Sequence, residues 1–121
     1  MAHPDPGSVP VRDAATVMLL RDSESGMQVC MLQRNLNSDF VGGAYVFPGG
    51  AVDPEDSNEA SMAVCAGRDD EAASQLVGVE RGGLAFWVAA VRESFEEAGV
   101  LLAADESGTV ISFEDPEVAQ R

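Results

Sequence analysis

The sequence predicts a mixed α/β (α+β) domain, with short strands in its first half and a long helix in its second. Three observations predict it. Two apolar, β-prone runs flank a short polar turn near the start, and a stretch rich in Gly and Pro follows them. Between Leu84 and Ala98, apolar residues then recur at helical period.

A length of 121 residues is bounded to one domain, and a hydrophobic fraction of 45% excludes general disorder. No apolar run reaches the roughly 20 residues needed to span a bilayer, so no membrane association is expected. The opening "MAHPDPGSVPVRD" (1–13) lacks a basic head and hydrophobic stretch, so it reads as a flexible leader and not a secretory signal. A cytoplasmic location is the corresponding expectation. Formal charge is −14, from 21 acids against 7 Lys and Arg. Such a surface repels phosphate backbones, which argues against nucleic-acid polymers as partners. Small anionic substrates remain open to it when divalent cations mediate. Cys30 and Cys65, on a chain with no export signal, are expected to be free thiols. His3 stands alone in the leader and is assigned no role.

The elements follow in order. "AATVMLLRD" (14–22) and "MQVCMLQRN" (27–35) predict the two arms of a hairpin around "SESG", with Gly26 turning the chain. "NLNSDFVGGAYVFPGGAVDPED" (35–56) reads as loop with one short strand, "AYVF". Residues 57–81 carry Ala and acids suited to one or two short helices between glycines. Leu84, Val88, Val91, Phe95 and Ala98 form an apolar stripe on a helix that Gly99 is placed to cap. Beyond it, "VLLAA", "DESG" and "TVISF" predict strand, turn and strand. Phe47 and Trp87 are expected to pack in the core.

The helix carries the chemistry. Glu93, Glu96 and Glu97 lie at i,i+3 and i,i+4 steps opposite the stripe. Like charges so spaced cost roughly 0.2–0.5 kcal/mol per pair. They also crowd the C-terminal half, where the helix dipole disfavours anions. A solvated surface usually mixes signs, yet Arg92 is the only base nearby. Something positive should therefore compensate, and Mg²⁺ or Mn²⁺ on oxygen ligands would do so. Upstream, Gly49 and Gly50 in "VFPGGAVDPED" (46–56) suit either a tight turn or a close approach by a ligand or another element.

"FPGG" followed by "RESFEEAGV" resembles the Nudix box: Gly, five residues, Glu, seven residues, then Arg-Glu-U-x-Glu-Glu-x-Gly-U, with U a bulky aliphatic. Arg92, Glu93, Glu96, Glu97, Gly99 and Val100 fill their positions, while Ser94 stands where an aliphatic is usual. Anchored on Gly50, the first half places Asp56 where the box has Glu, with Glu55 one residue out of register. Between Asp56 and Arg92 lie 35 residues instead of seven, an insertion of about 28 that includes 57–81. An interrupted box is similar to the branch related to coenzyme A diphosphatases.

The resemblance implies a mixed sheet sandwiched between helices. It also implies divalent-metal-dependent hydrolysis of a nucleoside diphosphate linked to another group, a Nudix-type diphosphatase or pyrophosphohydrolase. Glu93, Glu96 and Glu97 would hold metal, with the Gly49 carbonyl beside them, and one glutamate would activate water. Glu93 and Glu97 are the first choice for direct contact, and Arg92 would steer a glutamate by charge pairing. Gly50 and Arg34 would meet substrate. The further coenzyme A motif is matched by Arg34 and Gly43, whereas Asn35 replaces Ser and Asp39 replaces a second Arg. A coenzyme A-type or dinucleotide substrate is therefore an open choice.

The resemblance covers roughly residues 14–105, and members of the family normally continue through more strands and a closing helix. The domain (14–121) is thus expected to be incomplete at its C-terminal side, leaving an open sheet edge. Either the chain is a shortened product, or a second copy or a second chain completes the sheet. Two alternatives stand beside the hydrolase: a catalytically impaired Nudix-like module for nucleotide binding or assembly, and an unrelated acidic helical protein matching by chance.

Overall fold

The computed structural model describes residues 6–35, 37 and 42–111. His3, Asp39 and Phe113 lie outside the described residues. The strands are β1 (Ala14–Thr16), β2 (Leu20–Ser23), β3 (Gly26–Val29), β4 (Leu32–Gln33), β5 (Tyr45–Val46) and β6 (Gly49–Ala51). The helices are α1 (Glu59–Ala63), α2 (Asp70–Val77) and α3 (Leu84–Ala98), with 3-10 turns at Pro6–Ser8 and Pro54–Ser57. Residues 7–13 of the leader are exposed, as expected.

The two apolar runs pair only beside their turn. β2 and β3 are antiparallel with Ser23 opposite Gly26. Gly26 takes a φ of 108°, which favours glycine, and Ser23 Oγ donates to its carbonyl at 2.7 Å. Farther out the arms part. β1 pairs antiparallel with β6, and β4 with β5. The single long hairpin expected over 14–35 is therefore corrected: segment 45–51 serves both arms. A lone two-stranded ribbon is marginal in water. Taking up this segment gives the outer backbone groups partners, with Val17 N–H donating to Pro48 O at 2.8 Å and Arg34 N–H to Ala44 O at 2.8 Å.

Gly49 and Gly50 form part of β6, not a tight turn, and neither has a positive φ. Their small size serves close approach. A Cβ on Gly49 would run into the Ala15 carbonyl oxygen, and one on Gly50 would meet the Glu93 carboxylate.

α3 has the bounds that its stripe predicts. Gly99, at φ 69°, closes it by donating to Phe95 O at 3.0 Å, and Val100 N–H donates to Ser94 O at 3.2 Å. The helix packs against β1, β6, α2 and the Pro54–Ser57 turn. Burial does not follow the stripe alone. Leu84 is buried together with Ala85, Ala89 and Ser94, while Val88, Val91 and Ala98 are half-buried and Phe95 is 48% exposed. Trp87 is also partly open, with the Arg68 guanidinium 5.0 Å from its ring centre. Phe47 is half-buried.

Past α3, the two expected strands reduce, among the described residues, to one antiparallel bridge between Ala104 and Val110. The turn between them is held by Asp105 Oδ1, which accepts from the Ser107 hydroxyl at 2.6 Å and from Thr109 N–H at 2.9 Å. Those donors hold the Asp105 carboxyl below its ordinary range. Among the described residues the buried apolar side chains are Ala73, Leu84, Ala85 and Ala89, together with Pro48. Leu20, Val29, Met31, Val100 and Leu102 instead line an open apolar groove. No helix among the described residues is long and apolar enough to cross a membrane.

Candidate active site on the long helix

The side of α3 opposite its apolar stripe is only partly solvated, with Glu96 and Glu97 exposed. It lies on β6 and the Pro54–Ser57 turn, and Arg92 is its hub. Arg92 Nε donates to Asp56 Oδ1 at 2.8 Å and Nη2 to Asp56 Oδ2 at 3.0 Å, a two-pronged grip on one carboxylate. Nη2 also donates to Ala51 O at 2.9 Å, and Nη1 to Glu93 Oε1 at 2.9 Å and Glu96 Oε2 at 3.3 Å. Asp53 Oδ2 lies 3.5 Å from Nη2. Asp56 is only 2% exposed, and its Oδ2 also accepts from Asp53 N–H at 2.7 Å. The Arg92 guanidinium is the main cause holding the Asp56 carboxyl below the ordinary 3.8, and burial opposes it. In return Asp56, with Glu93 behind it, raises the Arg92 pKa. Glu55 is exposed, so the structure puts Asp56 in the partnered position.

The carboxylates divide. Glu97 Oε1 accepts from Gly49 N–H at 2.9 Å. The side chain of Glu93 is 15% exposed and reaches Gly50, where only a hydrogen fits beneath it. Glu96 is 55% exposed and is held by Arg92. Compensation for the clustered negative charge thus comes visibly from Arg92 and from a backbone N–H. Ser94, at the position where an aliphatic is usual, is fully buried and donates its hydroxyl to Ala90 O at 2.8 Å. Its polarity is satisfied within the helix.

The donor set consists of hard carboxylate and backbone oxygens, the chemistry that Mg²⁺ and Mn²⁺ prefer. Glu93 and Glu97 converge on Gly49 and Gly50. Among the described residues, no three Asp, Glu, His or Cys groups stand close enough together to hold an ion. The residue types suit such an ion, whereas their placement does not gather three carboxylates at one point. Arg34 follows directly on β4, and its carbonyl accepts from Gly43 N–H at 3.2 Å.

Sequence reasoning missed Asp70 and Ser74. Asp70 Oδ2 accepts from Gly82 N–H at 2.9 Å and Oδ1 from Leu84 N–H at 3.0 Å, while Ser74 Oγ accepts from Gly83 N–H at 2.8 Å. A signal was present: nothing before Leu84 offers a side-chain cap, since Gly82 and Gly83 fill those places.

No family model matches the chain. Among solved structures it is similar to a Nudix hydrolase from Alicyclobacillus acidocaldarius, with 35% sequence identity and a TM-score of 0.61 over 86% of this chain. The fold is of Nudix type. The chain spans 44% of the length of that hydrolase. The Arg92–Asp56 grip ties α3 to the Pro54–Ser57 turn across the 35 residues between them.

Proposed function

We propose that this protein is a Nudix-type hydrolase, a divalent-metal-dependent enzyme that cleaves the pyrophosphate bond of nucleoside diphosphate-linked substrates. The observation that carries the reading is the convergence of Glu93 and Glu97 on Gly49–Gly50, beside an arginine locked by a buried aspartate. Similarity to the Alicyclobacillus Nudix hydrolase supports it. Glu93, Glu96, Glu97 and the Gly49 carbonyl would hold Mg²⁺ or Mn²⁺. When bound, such an ion neutralises diphosphate charge and makes a bound water more acidic.

The chain's own residues supply the rest. Arg92 fixes the orientation of Glu93 and keeps Glu96 in reserve. A glutamate of the row takes the proton of the attacking water. Water oxygen bonds to one phosphorus, the bridging P–O bond breaks, and two phosphomonoesters leave. Gly50 allows close backbone approach to the substrate, and Arg34 offers it a cation. Coenzyme A-type and dinucleotide diphosphates are the substrate classes proposed. The two thiols, both unpaired, suit a reducing, cytoplasmic setting.

A second reading is favoured by one observation: an open apolar groove lies beside Val100 and Leu102. On that reading it is a nucleotide-binding or assembly module, and a further polypeptide, a second copy or another chain, covers the open groove beside Val100 and Leu102. A hydrolysis panel of coenzyme A, ADP-ribose and NADH with Mg²⁺ or Mn²⁺ separates the two. Metal-dependent product release, lost in Glu97→Gln, supports the hydrolase. Saturable nucleotide binding without turnover supports the module.

A further inference from the structure

α3 begins without a cap of its own. Its N-cap position is Gly83, which has helical backbone angles and no side chain to offer. The first N–H groups of a helix have no partner within it, and burying them unsatisfied is unfavourable. Here Ala85 and Phe86 N–H turn back to the Gly82 and Gly83 carbonyls, while Leu84 and the two glycines before it are met from α2. Asp70 receives Gly82 and Leu84, and Ser74, one turn further along the same helix, receives Gly83. The carboxylate also faces the positive end of the α3 dipole. The two backbone N–H groups keep Asp70 ionised below the ordinary aspartate range.

The contact is tight. Ala73 is fully buried and Ser74 is 2% exposed. A Cβ on Gly83 would collide with the Ser74 backbone, so the two helices touch main chain to main chain. α3 is therefore gripped twice, by Asp56 on Arg92 just ahead of the inserted segment and by Asp70 and Ser74 within that segment on its first turn. Eight residues separate Leu84 from Arg92, roughly 12 Å along the axis at 1.5 Å per residue.

From this geometry we infer that Asp56 and the inserted segment that follows it together clamp α3 at two points. The clamp sets the axial position and rotation of α3, so that Glu93 and Glu97 meet Gly50 and Gly49. Asp70 and Ser74 are positioning residues, neither a lid nor surface decoration. Close approach at Gly50 marks the setting: a Cβ there would meet the Glu93 carboxylate, the movable end of a side chain on α3. The proposed carboxylate site gives the clamp its significance, while its existence is testable without metal or substrate.

NMR of the full chain tests it, with the Arg92 Nε–H and Gly49 amide resonances as reporters at the far end of α3. Three variants are compared: Asp70→Ala, the milder Asp70→Asn that keeps one acceptor, and Ser74→Ala. Asn58→Ala serves as the control, since it removes a comparable cap from α1, where Asn58 Oδ1 accepts from Ser61 N–H at 2.8 Å. The clamp predicts roughly tenfold faster exchange of the Gly82–Leu84 amides. It also predicts displaced Arg92 and Gly49 signals, graded from Asn to Ala at position 70 and absent in the control. If exchange quickens while both reporters stay in place, the cap is merely local and the inference fails. Unchanged exchange would show that no cap exists. Should Asp70→Ala not fold, Asp70→Asn and Ser74→Ala decide the matter by the same readouts.

Discussion

The acid-bearing half of α3 and the groove lined by β2, β3 and residues 100–102 are built on opposite principles. In the first, each charged group has a named partner: Asp56 and Ala51 on Arg92, Gly49 on Glu97, Arg92 on Glu93 and Glu96. In the second, Leu20 is 58% exposed and Leu102 43%, with no apolar surface over them among the described residues. Directional contacts can assemble locally from a few residues. Apolar burial needs area, and area comes only from another layer. A polar site can therefore be ordered within a chain whose described apolar core is small.

The comparison breaks most severely at Arg92. Removing the guanidinium in Arg92→Ala strands Asp56 as a buried charge, and urea unfolding should show a loss of about 3–5 kcal/mol. Arg92→Lys should recover only part, because an ammonium cannot reproduce the two-pronged grip.

Next come the two glycines, which should separate stability from site geometry. Gly49→Ala forces a methyl into the β1 backbone and should cost about 1–3 kcal/mol in thermal or urea unfolding. Gly50→Ala meets the movable end of Glu93 instead. It should leave the unfolding midpoint nearly unchanged while displacing the Glu93 side-chain carboxyl ¹³C signal. Equal destabilisation by both would mean that Glu93 is not the element touching Gly50.

A smaller effect is expected from acid. The folded-state pKa of Asp56 lies below 3.8, so the unfolded chain binds its proton first as pH falls. Stability linked to Asp56 is thus full above about pH 4 and is lost as pH drops through the lowered folded value. Melting curves between pH 5 and 2.5 should show this slope, and Asp56→Asn should flatten it. The smallest effect belongs to the groove. Leu20→Ser should shift stability by no more than about 0.5 kcal/mol, but should reduce binding of a hydrophobic dye. A large stability loss there would show that the groove is already closed in solution.

Legibility in the sequence follows the same division. The bounds of α3 could be read because stripe and terminal glycine are local signals. The pairing of Arg92 with a neighbouring glutamate could be read because they adjoin on one helix, whereas its two-pronged grip on the distant Asp56 could not. Pairing of 45–51 with both arms of the hairpin could not, since strand partners are chosen by packing between distant segments. The stripe also mispredicted burial at Phe95, whose exposure depends on what lies across from it. Charge compensation by Arg92 and Gly49 N–H was only half visible: arginine stood in the sequence, but the backbone donor exists only once β6 lies under α3.

Titration of the metal-free full chain with Mn²⁺ in a calorimeter addresses the central claim most directly, alongside Glu93→Gln and Glu97→Gln. The account predicts saturable uptake by the parent protein, weakened by each substitution while melting temperature is kept. Folded parent protein that takes up no Mn²⁺, or takes it up equally well without those two carboxylates, would contradict it.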